Sequence, residues 1–174
     1  MAGGFLAPLV MFWLYVWGPL RPFDYPRGDV GVGLPGFLAV AVLSAALWWV
    51  PKRYYELRGF ERSGGFYASL GVRLFRRLVP DGDFANRWRR RREPLFRMIR
   101  GRGDVSRFMR RTEESERGHL VLLAFGIASA AFAWHIGWRG WALYLTCGNV
   151  VANVYPILLQ RYTRSRLLRL LSRP

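Results

Sequence analysis

Four apolar segments constrain this chain more than any other feature. Ala2–Leu20, Leu34–Val50, His119–Gly137 and Trp141–Leu159 each run for about 17–19 residues, near the length a helix needs to cross a bilayer core. Trp13, Trp17, Trp48, Trp49, Trp134, Trp138 and Trp141 cluster toward their ends, the pattern of an interfacial aromatic belt. Backbone in lipid must satisfy its own hydrogen bonds, so such segments fold as helices. The expected fold is all-α: a helical integral membrane protein with about four transmembrane helices and further cytoplasmic amphipathic helices. The first segment lacks a basic leader and a small-residue cleavage site, so it reads as retained rather than as a secretory signal.

Charge sets the orientation. The chain is 52% hydrophobic, yet its net charge is +16, which fits lipid-facing helices joined to a basic juxtamembrane part. Pro51–Gly118 holds 19 Lys/Arg against 9 acids, and the tail adds Arg161, Arg164, Arg166, Arg169 and Arg173. The loop Arg21–Gly33 is balanced, and the tight turn Trp138–Gly140 carries only Arg139. The positive-inside rule then places both termini and residues 51–118 in the cytoplasm of a multi-pass protein of the cell inner membrane. The organisation is one membrane domain: residues 1–50 as two apolar segments, 51–118 as a basic loop, 119–160 as a transmembrane hairpin and 161–174 as a basic tail. Lys52 is the one lysine. A GC-rich genome explains this Arg bias more plainly than does a preference for phosphate-matching guanidinium.

The loop has its own pattern. Phe66, Leu70, Leu74 and Leu78 repeat at helical spacing with Arg73, Arg76 and Arg77 on another face, predicting one amphipathic helix on the membrane surface. Pro80-Asp81-Gly82 ends it as a turn. The run Arg89–Arg92 adheres to anionic lipid on the plain reading and binds donor phosphates on the sharper one. Asp104 is positioned to cap a helix that continues without proline to Trp138.

Cofactor chemistry is thinly supplied. Cys147 is the one cysteine, which excludes an internal disulfide and a cysteine metal site. His119 and His135 lie sixteen residues apart on one predicted helix, about 24 Å, and cannot share a metal. Neither a metal nor another cofactor is expected.

Two polar stripes remain. Thr112, Glu116 and His119 follow one helical face into the third apolar segment. A carboxylate one turn from an imidazole can fix its tautomer, and such a histidine can take a proton from a hydroxyl attacking an acyl carbonyl. The plain alternative is a satisfied pair where the helix enters lipid. Asn149, Asn153, Pro156 and Gln160 share a face of the fourth segment, and Pro156 frees a carbonyl near position 152. Their plain alternative is helix packing through interhelical hydrogen bonds. Arg161, Arg164 and Arg166 follow, suited to bidentate phosphate contacts or to snorkelling.

The stretch Asn153-Val154-Tyr155-Pro156-Ile157-Leu158-Leu159-Gln160-Arg161-Tyr162-Thr163-Arg164-Ser165-Arg166-Leu167 resembles the C-terminal signature of the glycosyl-diaponeurosporenoate acyltransferases, membrane enzymes that complete staphyloxanthin-type carotenoids. Thr112-x-x-x-Glu116-x-x-His119 is a second match. Pro51, Tyr54, Phe60-Glu61, Gly64 and Asp81-Gly82 form a weaker third. The three cover roughly Pro51 to Leu171. Ala2–Leu20 is extra relative to the family, and Tyr155 stands where a proline is usual.

The resemblance implies fatty acyl transfer to a sugar hydroxyl of a glycosylated carotenoid or similar glycolipid. Its expected partners are an acyl thioester donor (acyl-CoA or acyl carrier protein), an apolar glycosylated acceptor and the lipid bilayer. His119 is the expected general base and Glu116 its orienting partner. Thr112, Asn149, Asn153, Gln160, Arg161, Tyr162, Arg164 and Arg166 are the expected substrate-binding residues, with Asn153 or Gln160 donating to the carbonyl oxygen as it gains charge. The rival is a non-catalytic membrane scaffold or assembly subunit. Nucleic-acid binding fits the charge but lacks any recognised module.

Overall fold

The computed structural model describes residue 7 and residues 9–14, 34–79 and 102–172. Among these residues every regular element is helical, as the apolar and amphipathic periodicities predict. A helical stretch at residues 9–14 precedes α1 (Leu34–Ala45). Two 3₁₀ turns, Ala46–Trp49 and Lys52–Tyr55, lead to α2 (Gly59–Arg62), α3 (Gly65–Ser69) and α4 (Val72–Leu78). Then come α5 (Arg102–His135), α6 (Arg139–Asn149), one π-helical turn (Val150–Val154) and α7 (Tyr155–Leu171). Pro80-Asp81-Gly82, the run Arg89–Arg92, the loop Arg21–Gly33 and most of Ala2–Leu20 lie outside the described residues.

Two helical spans among the described residues, Gly103–His135 and Arg139–Leu171, are long and apolar enough to cross a membrane, where the sequence predicts four. The second predicted span is helical from Leu34, but its last turn, Ala46–Trp49, tightens to 3₁₀, and Val50, preceding Pro51, is turned out of helical geometry at ψ 131°, the conformation a following proline imposes. Asp104 lies inside the first turn of α5 rather than ahead of it, where a carboxylate still faces free N–H groups.

The chain divides into two compact units: residues 1–50 with 117–154, and residues 51–116 with 155–174. The first is built on aromatic packing. Phe12 and Trp13 are buried with Ala130, Ala133, Trp138, Trp141 and Leu145. Trp13 stacks on Phe132 with ring centroids 5.7 Å apart, and its Nε1–H donates to Ser129 Oγ at 3.1 Å. The turn from α5 to α6 falls at Gly137, slightly ahead of the expected Trp138–Gly140. Gly137 takes φ +80°, its N–H bonds to Trp134 O, and Trp138 N–H reaches back to Ala133 O at 2.8 Å. That pair of bonds closes a helix around a left-handed residue.

In the second unit α2, α3 and α4 pack against α7. The single amphipathic helix expected over Phe66–Leu78 is two short helices, because Gly71 adopts φ +74° and stops α3 from continuing. Tyr67 and Val72 are fully buried beside Tyr162, and Phe66, Leu70 and Leu74 are exposed.

Candidate functional site

In the first unit a chain of hydrogen bonds ends on His119. Asn149 lies against α5 at Gly126, where an added Cβ would come within 2.7 Å of the Asn149 amide. That approach lets Asn149 Nδ2 donate to the Leu123 carbonyl at 3.0 Å. Asn149 Oδ1 accepts from Asn153 Nδ2 at 2.7 Å. Asn153 Oδ1 then lies 3.1 Å from His119 Nδ1. The direction of the relay is dictated at its far end: a carbonyl can only accept, so each amide presents its N–H₂ toward Leu123 and its oxygen toward His119. His119 Nδ1 must therefore carry a proton. In the neutral imidazole Nε2 then holds the lone pair, the form a general base needs.

The turn that carries Asn153 is irregular. Pro156 has no N–H and its ring crowds the carbonyl four residues back. The π-helical turn over Val150–Val154 takes up that misfit and holds Asn153 fully buried. Such turns recur at functional sites.

The second unit gathers four charges. Glu116 on α5 is fully buried. Its Oε1 accepts from Arg161 Nε at 2.8 Å, and its Oε2 accepts from Arg164 Nη2. Arg161 also donates through Nη1 to Glu61 at 3.0 Å and through Nη2 to the Tyr54 carbonyl at 2.6 Å. All three of its nitrogens are engaged, and its guanidinium lies 4.7 Å from the centre of the Tyr54 ring. Two carboxylates facing two guanidiniums make the cluster neutral as a whole, which lessens the cost of burial. Burial alone would raise the Glu61 carboxyl. The Tyr67 hydroxyl, the Arg58 N–H and Arg161 outweigh that effect and hold it below the ordinary carboxylate value. Tyr67 is pushed above the ordinary phenol value by burial and by the Glu61 carboxylate it donates to.

The expected site residues thus separate into two networks. His119, Asn149 and Asn153 share the relay; Glu116, Arg161 and Arg164 share the charge cluster. The side-chain partner of His119 is Asn153, and Glu116 is held by arginines. Gln160 donates to Ser115 Oγ at 3.0 Å, on the same pair of helices as the charge cluster. Thr112 spends its hydroxyl on the Met109 carbonyl of its own helix. Tyr162 packs in the core beside Tyr67, and Arg166 is exposed. Arg164 is 1% exposed, and its Nε and Nη1 have no hydrogen-bond partner among the described residues. No group of three or more metal-binding side chains occurs among the described residues.

Sequence reasoning gave no chemical role to Glu61, Tyr54 or Gly64, although all three fall in the third stretch of family resemblance. In the structure they converge on α7. Tyr54 and Glu61 receive Arg161, while Gly64, at φ +72°, lets its backbone approach Ser165 and Arg169.

A model of the glycosyl-4,4'-diaponeurosporenoate acyltransferase family matches residues 51–173. The chain belongs to this family. It is thereby an enzyme rather than a scaffold, an acyltransferase with a role in carotenoid biosynthesis. The matched residues include those of both networks, from Tyr54 through Arg164. Comparison with curated proteins and with solved structures finds no match.

Proposed function

We propose that this acyltransferase moves a fatty acyl group from an acyl thioester to a sugar hydroxyl of a glycosylated carotenoid or a similar glycolipid. The observation that carries the chemistry is the relay ending on His119. Nε2 of His119 takes the proton of the sugar hydroxyl as its oxygen bonds to the acyl carbon. The tetrahedral intermediate collapses, the C–S bond breaks, and the protonated imidazole returns its proton to the leaving thiolate. Atoms balance with the ester and the free thiol as products. Asn153 holds the imidazole through Nδ1 and is engaged at both ends of its amide, so it is a positioning residue. Asn149 uses one N–H on Leu123 and retains a second on Nδ2, the donor best suited to the carbonyl oxygen as it gains charge.

Glu116 serves this scheme as the anchor of Arg161 and Arg164. Three of the five Arg161 N–H groups are already engaged within the cluster. The exposed Arg166 is the freer guanidinium for a donor phosphate, whether the donor is acyl-CoA or acyl carrier protein. The reading places the enzyme in the inner membrane as a multi-pass protein with residues 51–118 on the cytoplasmic face. Support comes from the two long helical spans: only 28% and 33% of their apolar windows are buried, and apolar surface left outward fits lipid contact.

Membranes containing the protein, an acyl-CoA and a glycosylated carotenoid test the proposal, with the acyl ester read by mass spectrometry. Ester formation that requires the protein is the expected result. Full activity of His119→Ala would remove its role as base.

A further inference from the structure

An apolar groove of about 500 Å³ lies along α5 and α6 within the first unit. Its size suits a lipid chain or small ligand. Leu123, Asn149 and Val154 line the part toward one end and Trp134 lines the other, with Ile127, Ala131 and Thr146 between them. Leu123 and Trp134 are eleven residues apart on one helix, so the groove extends for ~16 Å.

The two ends differ chemically. At the first, Asn149 is bonded to the Leu123 carbonyl and, through Asn153, to His119. At the second, the Arg139 guanidinium lies 4.3 Å from the centre of the Trp134 ring, a contact that restrains the indole. Thr146, midway, spends its hydroxyl on the Ala142 carbonyl at 2.7 Å and gives the wall no free donor. One polar end joined to the candidate base, an apolar wall and an aromatic stop describe a site for a single flexible chain.

We infer that the groove holds the acyl chain of the thioester donor, its carbonyl end at Asn149 and its methyl end at Trp134, and that Trp134 sets the chain length accepted. The inference rests on the acyl-transfer reading above. A saturated chain is flexible enough to follow the two helices. The conjugated acceptor is a stiff rod much longer than this groove and does not fit it.

The test compares the full-length protein and three variants in membranes, each given decanoyl-, myristoyl- and stearoyl-CoA in competition before a glycosylated carotenoid. Ala131 and Trp134 are exposed, so substitution there leaves the core packing intact. Ala131→Phe should shift the product esters toward the shorter chain and Trp134→Ala toward the longer. Each shift should be about tenfold in the ratio of products, as expected when a pocket loses or gains room for methylenes. Val42→Phe, exposed on α1, should leave the ratio unchanged.

Transfer with unchanged chain preference in both groove variants overturns the groove and leaves the acyltransferase reading standing. A second readout covers the converse case. A diazirine-bearing palmitoyl-CoA should label Leu143, another residue of the groove wall, in preference to Val42, and Ala131→Phe should reduce that labelling. Such labelling without any acyl transfer keeps the groove as an acyl site and removes the acyl-transfer reading. Labelling that ignores Ala131→Phe overturns the groove.

Discussion

His119 Nδ1 lies 3.1 Å from Asn153 Oδ1, at the end of a relay that begins on the Leu123 carbonyl. The relay keeps the proton on Nδ1 and the lone pair on Nε2. His119→Ala should lower acyl transfer by ~10²–10⁴-fold, the usual worth of a positioned general base. Asn153→Leu removes the acceptor and frees the ring to take either tautomer, so kcat should fall by about tenfold or more with KM for the donor little changed. Asn153→Asp keeps an acceptor at Nδ1 and adds a negative charge. It should retain more activity than Asn153→Leu, because the acceptor at Nδ1 is kept. Equal losses in Asn153→Asp and Asn153→Leu would argue that Asn153 does not face the catalytic imidazole.

Gly126 allows the relay to form. A Cβ there would stand 2.7 Å from Asn149 Cγ and Nδ2, closer than side chains tolerate, so Gly126→Ala must push the amide off Leu123. About 1–3 kcal/mol of strain follows, and transfer should drop by about tenfold or more while the protein still reaches the membrane. Gly126→Ala combined with Asn149→Ala removes the clash together with the amide. The double variant should regain the thermal stability lost by Gly126→Ala and remain as slow as Asn149→Ala. Recovery of full activity in the double variant would dissociate Asn149 from the chemistry.

Much of this was legible before any coordinates. Glu116, His119, Asn153 and Arg161 stand out because ionisable and amide groups beside apolar segments are costly without partners. Which partner each takes was not legible. A glutamate and a histidine at i and i+3 share a helical face, but the facing helix decides what each meets, and α7 presents Arg161 and Arg164 to Glu116. Pro156 announced a disturbed turn without showing that the turn would be π-helical. The expected helix over Phe66–Leu78 is broken in two because periodicity alone cannot register a positive φ at Gly71. Gly126 gave no local signal, since a small residue in an apolar helix is unremarkable until Asn149 is seen against it.

Glu116 should matter more for folding than for chemistry. Its two oxygens hold Arg161 and Arg164, and Arg164 is buried. Glu116→Gln leaves that guanidinium without its counter-charge, and breaking a buried pair from one side costs about 3–5 kcal/mol. Thermal unfolding in detergent should show this as a large drop. Glu116→Leu with Arg164→Met removes both charges and should recover a substantial part of the loss. A normal unfolding temperature for Glu116→Gln, paired with lost turnover, would return Glu116 to the catalytic role.

Glu61 supplies a pH signature for the same cluster. Its carboxyl is held below the ordinary 4.5. A depressed pKa means that the ionised group contributes stability that is fully present above that value and lost as the pH falls through the lower folded value. Tyr67 works in the opposite direction: raised above 10.0, its protonated hydroxyl contributes fully below that pH and loses its contribution only in stronger alkali. Neither group changes state across the neutral range. Glu61→Gln keeps the shape and removes the charge that receives Arg161, costing about 1–3 kcal/mol at pH 7. The gap in unfolding temperature between wild type and Glu61→Gln should be widest near neutrality and close as the medium is acidified below pH 4.5, because the wild-type carboxylate is then protonated too. A gap that stays constant through that acid range would mean that Glu61 acts through shape and not through its charge on Arg161.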